Sequence, residues 1–136
     1  PPRSTPKPSS AASDVYKRQV DGAGLTDLIS FSGTTDIPDY LIEHLGSAYW
    51  KDPSLYLLRS PIMHVSNITT PLLIMDGSKD VRVPITQAQE LYTALRKQHK
   101  PVKWILLPEQ GHAPSDPNLI SAAIEQTEAW LAKAKE

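Results

Sequence analysis

The sequence predicts an α/β domain with a mostly parallel sheet flanked by helices. Two observations carry this. Leu72-Leu73-Ile74-Met75 and Val102-Lys103-Trp104-Ile105-Leu106-Leu107 are short, almost unbroken apolar runs, the pattern of strands buried on both faces. Each run is followed by a segment of helical period, and alternation of strand and helix implies parallel pairing through right-handed crossovers.

The elements follow in chain order. Residues 20 to 33, VDGAGLTDLISFSG, read as a strand end and a tight connection, with Asp27 as a cap or turn residue. Residues 34 to 60 hold Pro38, Pro53 and the aromatics Tyr40, Tyr49, Trp50 and Tyr56, a composition for short helices and loops. Thr70-Pro71 introduces the first strong strand. A helix is then predicted from about Gln87 to Gln98, because Thr86 and Gln89 have capping-box spacing and Ile85, Ala88, Leu91, Tyr92 and Leu95 share a face. Pro101 ends that connection and the second strand begins. Asp116-Pro117 reads as an N-cap with proline at the first helical position, opening a final helix whose stripe is Ile120, Ala123, Ile124, Trp130 and Leu131.

Residues 1 to 19, PPRSTPKPSSAASDVYKRQ, lack the apolar content to offset the entropy of ordering, so a disordered or non-native leader is expected. The string SSAASDVYKRQ also resembles translated adapter sequence, in which case native sequence begins near Val20. The domain expected to fold is 20–136. A net charge of -1 offers no long-range attraction to a polyanion, and no basic cluster lies beyond the leader, so no nucleic-acid partner is expected. No apolar run approaches the ~18 residues of a membrane-spanning helix, and no membrane partner is expected. With no cysteine, disulfides and thiolate chemistry are excluded, while compartment and oligomeric state stay open.

The chemistry concentrates in two loops. Asp80 lies in Gly77-Ser78-Lys79-Asp80-Val81-Arg82-Val83-Pro84 and His112 in Pro108-Glu109-Gln110-Gly111-His112, each just beyond the carboxyl end of a predicted strand, where open α/β sheets bind ligands. Neighbouring strands lie ~4.8 Å apart, so short loops can bring the two side chains into contact. Imidazole titrates near neutrality and suits a general acid/base, while a carboxylate on its other nitrogen fixes the tautomer. His112 and Asp80 are thus two of the three groups of a hydrolytic triad. The third, a serine in a Gly-x-Ser-x-Gly elbow, does not occur in the 136 residues. His44, His64 and His99 are scattered and lack ligand spacing, so neither a metal nor another cofactor is expected.

The stretch SPIMHVSNITTPLLIMDGSKDVRVPITQAQELYTALRKQHKPVKWILLPEQGH resembles the C-terminal part of the catalytic domain of the prolyl oligopeptidase family of serine peptidases, in particular its acylaminoacyl and dipeptidyl peptidase branches. The marks are Asp80-Val81-Arg82-Val83-Pro84 followed by Gln87, and Gly111-His112 after Pro108. The resemblance implies the C-terminal half of an α/β-hydrolase fold and a peptide substrate. It also implies Asp80 and His112 as triad acid and base, Arg82 as a donor to a peptide carbonyl next to the scissile residue, and Val83 at the border of the specificity pocket. Where the family often has histidine-glycine, this chain has Asp76-Gly77. A carboxylic ester hydrolase on the same fold and a non-catalytic binding module remain as alternatives, since a fold does not fix a function. Apart from the resemblance, Arg82 reads equally as one half of a surface ion pair. Trp104 and Trp130 read as core residues, and Tyr49 and Trp50 as cavity-lining or packing residues. The expectation is a partial catalytic domain, inactive by itself.

Overall fold

A computed structural model describes residues 17–133. The leader residues 1–16 fall outside the described residues. Gln19, which the sequence assigns to the leader, instead opens strand β1 (Gln19–Gly22), because its N–H donates to Pro71 O (3.0 Å) and its carbonyl accepts Trp130 Nε1 (3.0 Å). Strands β2 (Leu72–Gly77) and β3 (Val102–Leu107) complete a parallel sheet of order β1-β2-β3. Gln19 stands opposite Leu72, and Leu72 opposite Val102.

Helix α4 (Thr86–Lys97) connects β2 to β3 and covers one face of the sheet. Its Ala88, Leu91 and Leu95 are buried with Leu72 and Ile74 of β2 and with Val65 and Ile68, and Tyr92, Val102 and Trp104 pack against them. Four of the five residues assigned to the helix face therefore meet the core, and Ile85 does not. The expected capping box is absent: Ile85 is the N-cap, Thr86 is already helical and no side chain caps the end. Gln87 N–H finds Pro84 O instead (2.8 Å), which removes the need for a threonine cap.

The β1–β2 connection contains the short helices that its composition suggests over 34–60 and a further one before them. It holds α1 (Leu28–Thr34), α2 (Tyr40–Leu45), α3 (Ser54–Arg59) and a 3₁₀ turn over 61–67. Residues 28–33, read as part of a tight connection, lie in α1, which Asp27 caps by accepting the Ile29 and Ser30 N–H groups. Leu28, Phe31, Leu41 and Tyr56 form a second core with Val83. Gln87 fastens this layer to α4: Oε1 accepts from Thr26 N and Asp27 N (2.9 Å each) and Nε2 donates to Ser30 Oγ (2.8 Å).

Helix α5 (Pro117–Ala132) is capped as predicted, with Asp116 accepting from Asn118 N and Leu119 N. It lies over the opposite face, where Thr127 Oγ1 meets Met75 Sδ at 3.7 Å. None of its residues is buried, and Ile124 of its apolar stripe is 54% exposed. The sequence reading of β3 as buried on both faces fails as well: only Leu107 is buried, while Lys103 and Leu106 are exposed on opposite faces of a strand that lies at the edge of the described sheet. No helix among the described residues is long and apolar enough to cross a membrane.

Candidate active site

The loops after β2 and β3 are joined by backbone before any side chain contributes. Ser78 N–H donates to Leu107 O (2.9 Å) and Lys79 N–H to Gln110 O (2.8 Å), while Glu109 N–H donates to Ser78 Oγ (2.8 Å). Gly77 permits this approach: a Cβ there would stand 2.3 Å from Gln110 O, closer than any stable contact. Lys79 and Glu109 add an exposed ion pair. Glu109 itself adopts φ 58, a left-handed conformation disfavoured for a side-chain-bearing residue and held here by these contacts.

This closure delivers Asp80 and His112 to each other. His112 Nδ1 lies 2.9 Å from Asp80 Oδ2, and because a carboxylate only accepts, the proton sits on Nδ1. Asp80 Oδ1 accepts from Arg82 N and Val83 N (2.9 Å each). The carboxylate is thus fully used and its side chain is 0% exposed, whereas the imidazole is 50% exposed. Nε2, the nitrogen left to act as a base, has no hydrogen-bond partner among the described residues. Beyond His112, Gln110 Oε1 accepts from Ser115 N and Asp116 N (2.9 and 3.1 Å), tying the loop to the α5 cap.

A cavity of about 590 Å³ opens beside the pair, between the sheet and α5, with Ala23, Met75, Ala123 and Ile124 on its apolar wall. Asp76 also borders it, a residue whose role the sequence did not reveal. It is 3% exposed and its Oδ2 has no partner. Burial, reinforced by the negative charges of Asp21 and Asp80, pushes its carboxyl up to about 7. The indole N–H of Trp104 lies close enough to oppose that rise but outside regular hydrogen-bond geometry, so we regard the relief as small. Burial raises Asp21 too. The one sequence signal was a carboxylate ending an apolar run.

Other predicted positions lie outside this cavity. Arg82 Nε and Nη2 donate to Asp36 Oδ1 and Oδ2 (2.6 and 3.2 Å), and the hydrogen bond from Arg82 lowers the Asp36 carboxyl below its ordinary range. Val83 is buried in the second core with Phe31 and Tyr56. Tyr49 packs against that core and Trp50 is 66% exposed. Trp104 and Trp130, read as core residues, are half-buried. His44 and His64 meet backbone carbonyls of Tyr40 and Leu58. No group of three potential metal-ligating residues occurs among the described residues.

The sequence profile of the prolyl oligopeptidase family matches residues 9–136. The chain belongs to the prolyl oligopeptidase family. It is 38% identical over 125 residues to the acylamino-acid-releasing enzyme of Mus musculus, covering 87% of this chain and 17% of that protein, and 34% identical over the same length to the enzyme of Homo sapiens. Among solved structures it is similar to a puromycin-hydrolysing peptidase of Mycobacterium tuberculosis, with a TM-score of 0.84 and 24% identity over 92% of this chain and 19% of that one. It is also similar to the Pyrococcus horikoshii acylaminoacyl peptidase, with a TM-score of 0.79 and 20% identity over 90% and 21%. At such identities the structural likeness shows the fold, that of the α/β-hydrolase peptidases. The chain spans about a sixth of the length of the curated prolyl oligopeptidase relatives it matches.

Proposed function

We propose that this chain supplies the acid–base couple of a serine peptidase: His112 as general base and acid, Asp80 as its orienter, and the nucleophilic serine from a part of the protein outside these 136 residues. The observation that carries the reading is the 2.9 Å hydrogen bond between a buried, fully satisfied Asp80 and a half-exposed His112 with Nε2 free. Family membership supplies the reaction class.

In this mechanism Nε2 takes the serine hydroxyl proton as Oγ adds to the peptide carbonyl carbon. The imidazolium, held by Asp80, then gives that proton to the departing amine nitrogen as the C–N bond breaks. Water repeats the sequence: Nε2 removes its proton as oxygen attacks the acyl carbon, and returns it to Oγ as the ester bond breaks. The substrate proposed is an oligopeptide.

Without nucleophile and oxyanion donors, each such donor being worth roughly 3 to 4 kcal/mol of barrier, the 136-residue chain alone does not turn over peptides. The test compares this chain with the full-length protein, using a fluorophosphonate serine probe and a peptide substrate. Labelling and turnover are expected only in the longer protein. Turnover by the short chain, or a full-length protein that takes up no probe, would overturn the proposal.

A further inference from the structure

His112 sits in a span whose own main chain does little to hold it. In the connection from β3 to α5, the N–H groups of Gly111, His112 and Ala113 find no partner among the described residues, and Pro114 has no N–H to offer. Apart from the bond between His112 Nδ1 and Asp80, the span is tied only at its two ends, and Gln110 makes both ties. At the entry, Gln110 O accepts from Lys79 N of the acid loop (2.8 Å). At the exit, Gln110 Oε1 accepts from Ser115 N (2.9 Å) and Asp116 N (3.1 Å). Two N–H donors on one atom fix the orientation of the amide, since only its oxygen accepts.

We propose that Gln110 is a positioning residue for the acid–base couple: its side chain closes residues 111–114 into a ring and so holds His112 at one place relative to Asp80 and the cavity. The inference rests on the reading of His112 as the base. Without the ring, one hydrogen bond to Asp80 would have to restrain a half-exposed imidazole on a chain free to swing about Gly111. Every other placement carries Nε2 out of line with the group it deprotonates. Gln110 does not line the cavity, so it acts through His112 and touches no reacting atom. Its loss should cost little stability, because Ser115 is exposed and Asp116 half-buried, and both N–H groups can turn to water.

The test uses the full-length protein, with kinetics on a peptide p-nitroanilide, calorimetry, and the far-downfield proton resonance of the hydrogen-bonded His112 Nδ1–H. Gln110→Ala is expected to lower kcat roughly 30-fold, within the 10²-fold that about 1 Å of misplacement can cost. KM and Tm should stay nearly unchanged, and the Nδ1–H resonance should broaden or move upfield. Gln110→Glu keeps the acceptor oxygen beside a helix N-terminus that favours negative charge, and is expected to retain most of the rate. Gln110→Asn, one methylene too short to reach Ser115, should behave like Gln110→Ala. An unchanged kcat and resonance in Gln110→Ala overturns the proposal. So does a rate loss that merely tracks a loss of folded protein, or a Gln110→Glu variant as slow as Gln110→Ala. Failure of the serine proposal is seen separately, as a wild-type protein that takes up no serine probe, and the Nδ1–H resonance still reports on Gln110 in that case.

Discussion

The two faces of the sheet are built from similar residues and end in different states. Under α4, Leu72 and Ile74 are sealed by Ala88, Leu91 and Leu95. Under α5, Met75 looks into a cavity whose far wall is Ala123 and Ile124. Both helices carry apolar stripes, so amphipathicity alone does not say what a stripe will meet. The closed face holds the strands in register, while the open face gives the ends of those strands a cavity in which a bound group can reach His112. Stability and chemistry should therefore respond to different sets of substitutions.

The largest separation is expected at the mouth of the open face. Asp80→Asn in the full-length protein should lower kcat by about 10⁴-fold, as loss of the orienting carboxylate does in hydrolytic triads, while the melting temperature changes little; steady-state kinetics beside calorimetry would show both. Comparable losses in activity and stability would break the division between the faces.

Asp76 gives the next effect, through pH. Its carboxyl titrates near 7 when folded and near 3.8 when unfolded. Between those values the folded chain keeps a proton that the unfolded chain releases, so stability falls as pH rises through that window and levels off above 7. Asp76→Asn should abolish this loss, gaining up to roughly 4 kcal/mol at pH 8 and little at pH 4. Urea denaturation at both pH values checks it, and a pH-independent gain would sink it.

The smallest effects probe the faces directly. Leu91→Ala on the sealed face should cost about 3 kcal/mol through lost burial and a residual cavity. Ile124→Ala on the open face should cost under about 1 kcal/mol. Equal costs would mean that the cavity under α5 closes in solution.

The parts of the fold most legible in the sequence are those with their own local signal. Strands β2 and β3 were marked by almost unbroken apolarity, α5 by Asp116-Pro117, and the meeting of Asp80 with His112 by their places after those two strands; β1, QVDG, carries no such run. Short α1 escaped because LISFSGT carries serine, glycine and threonine in a helix stabilised mainly by the Asp27 cap and its packing on the second core. The Arg82–Asp36 pair joins residues 46 positions apart, and its formation depends on where a whole helical layer settles. Gln87 stood out as part of a motif, yet its task of satisfying the Thr26 and Asp27 N–H groups was hidden for the same reason. The exposure of the α5 stripe was illegible because an apolar helix face has the same periodicity whether or not anything covers it.

The close passage of Gly77 beneath Gln110 also bears on how this protein can vary. The spacing between Asp80 and His112 is set by main-chain hydrogen bonds and by Ser78, while the side chains of Val81 and Glu109 project outward and remain exposed. Those outward positions can drift, altering what approaches the rim, without moving Asp80 and His112 relative to each other. The tolerance stops at position 77, where adding even one carbon would drive the loops apart.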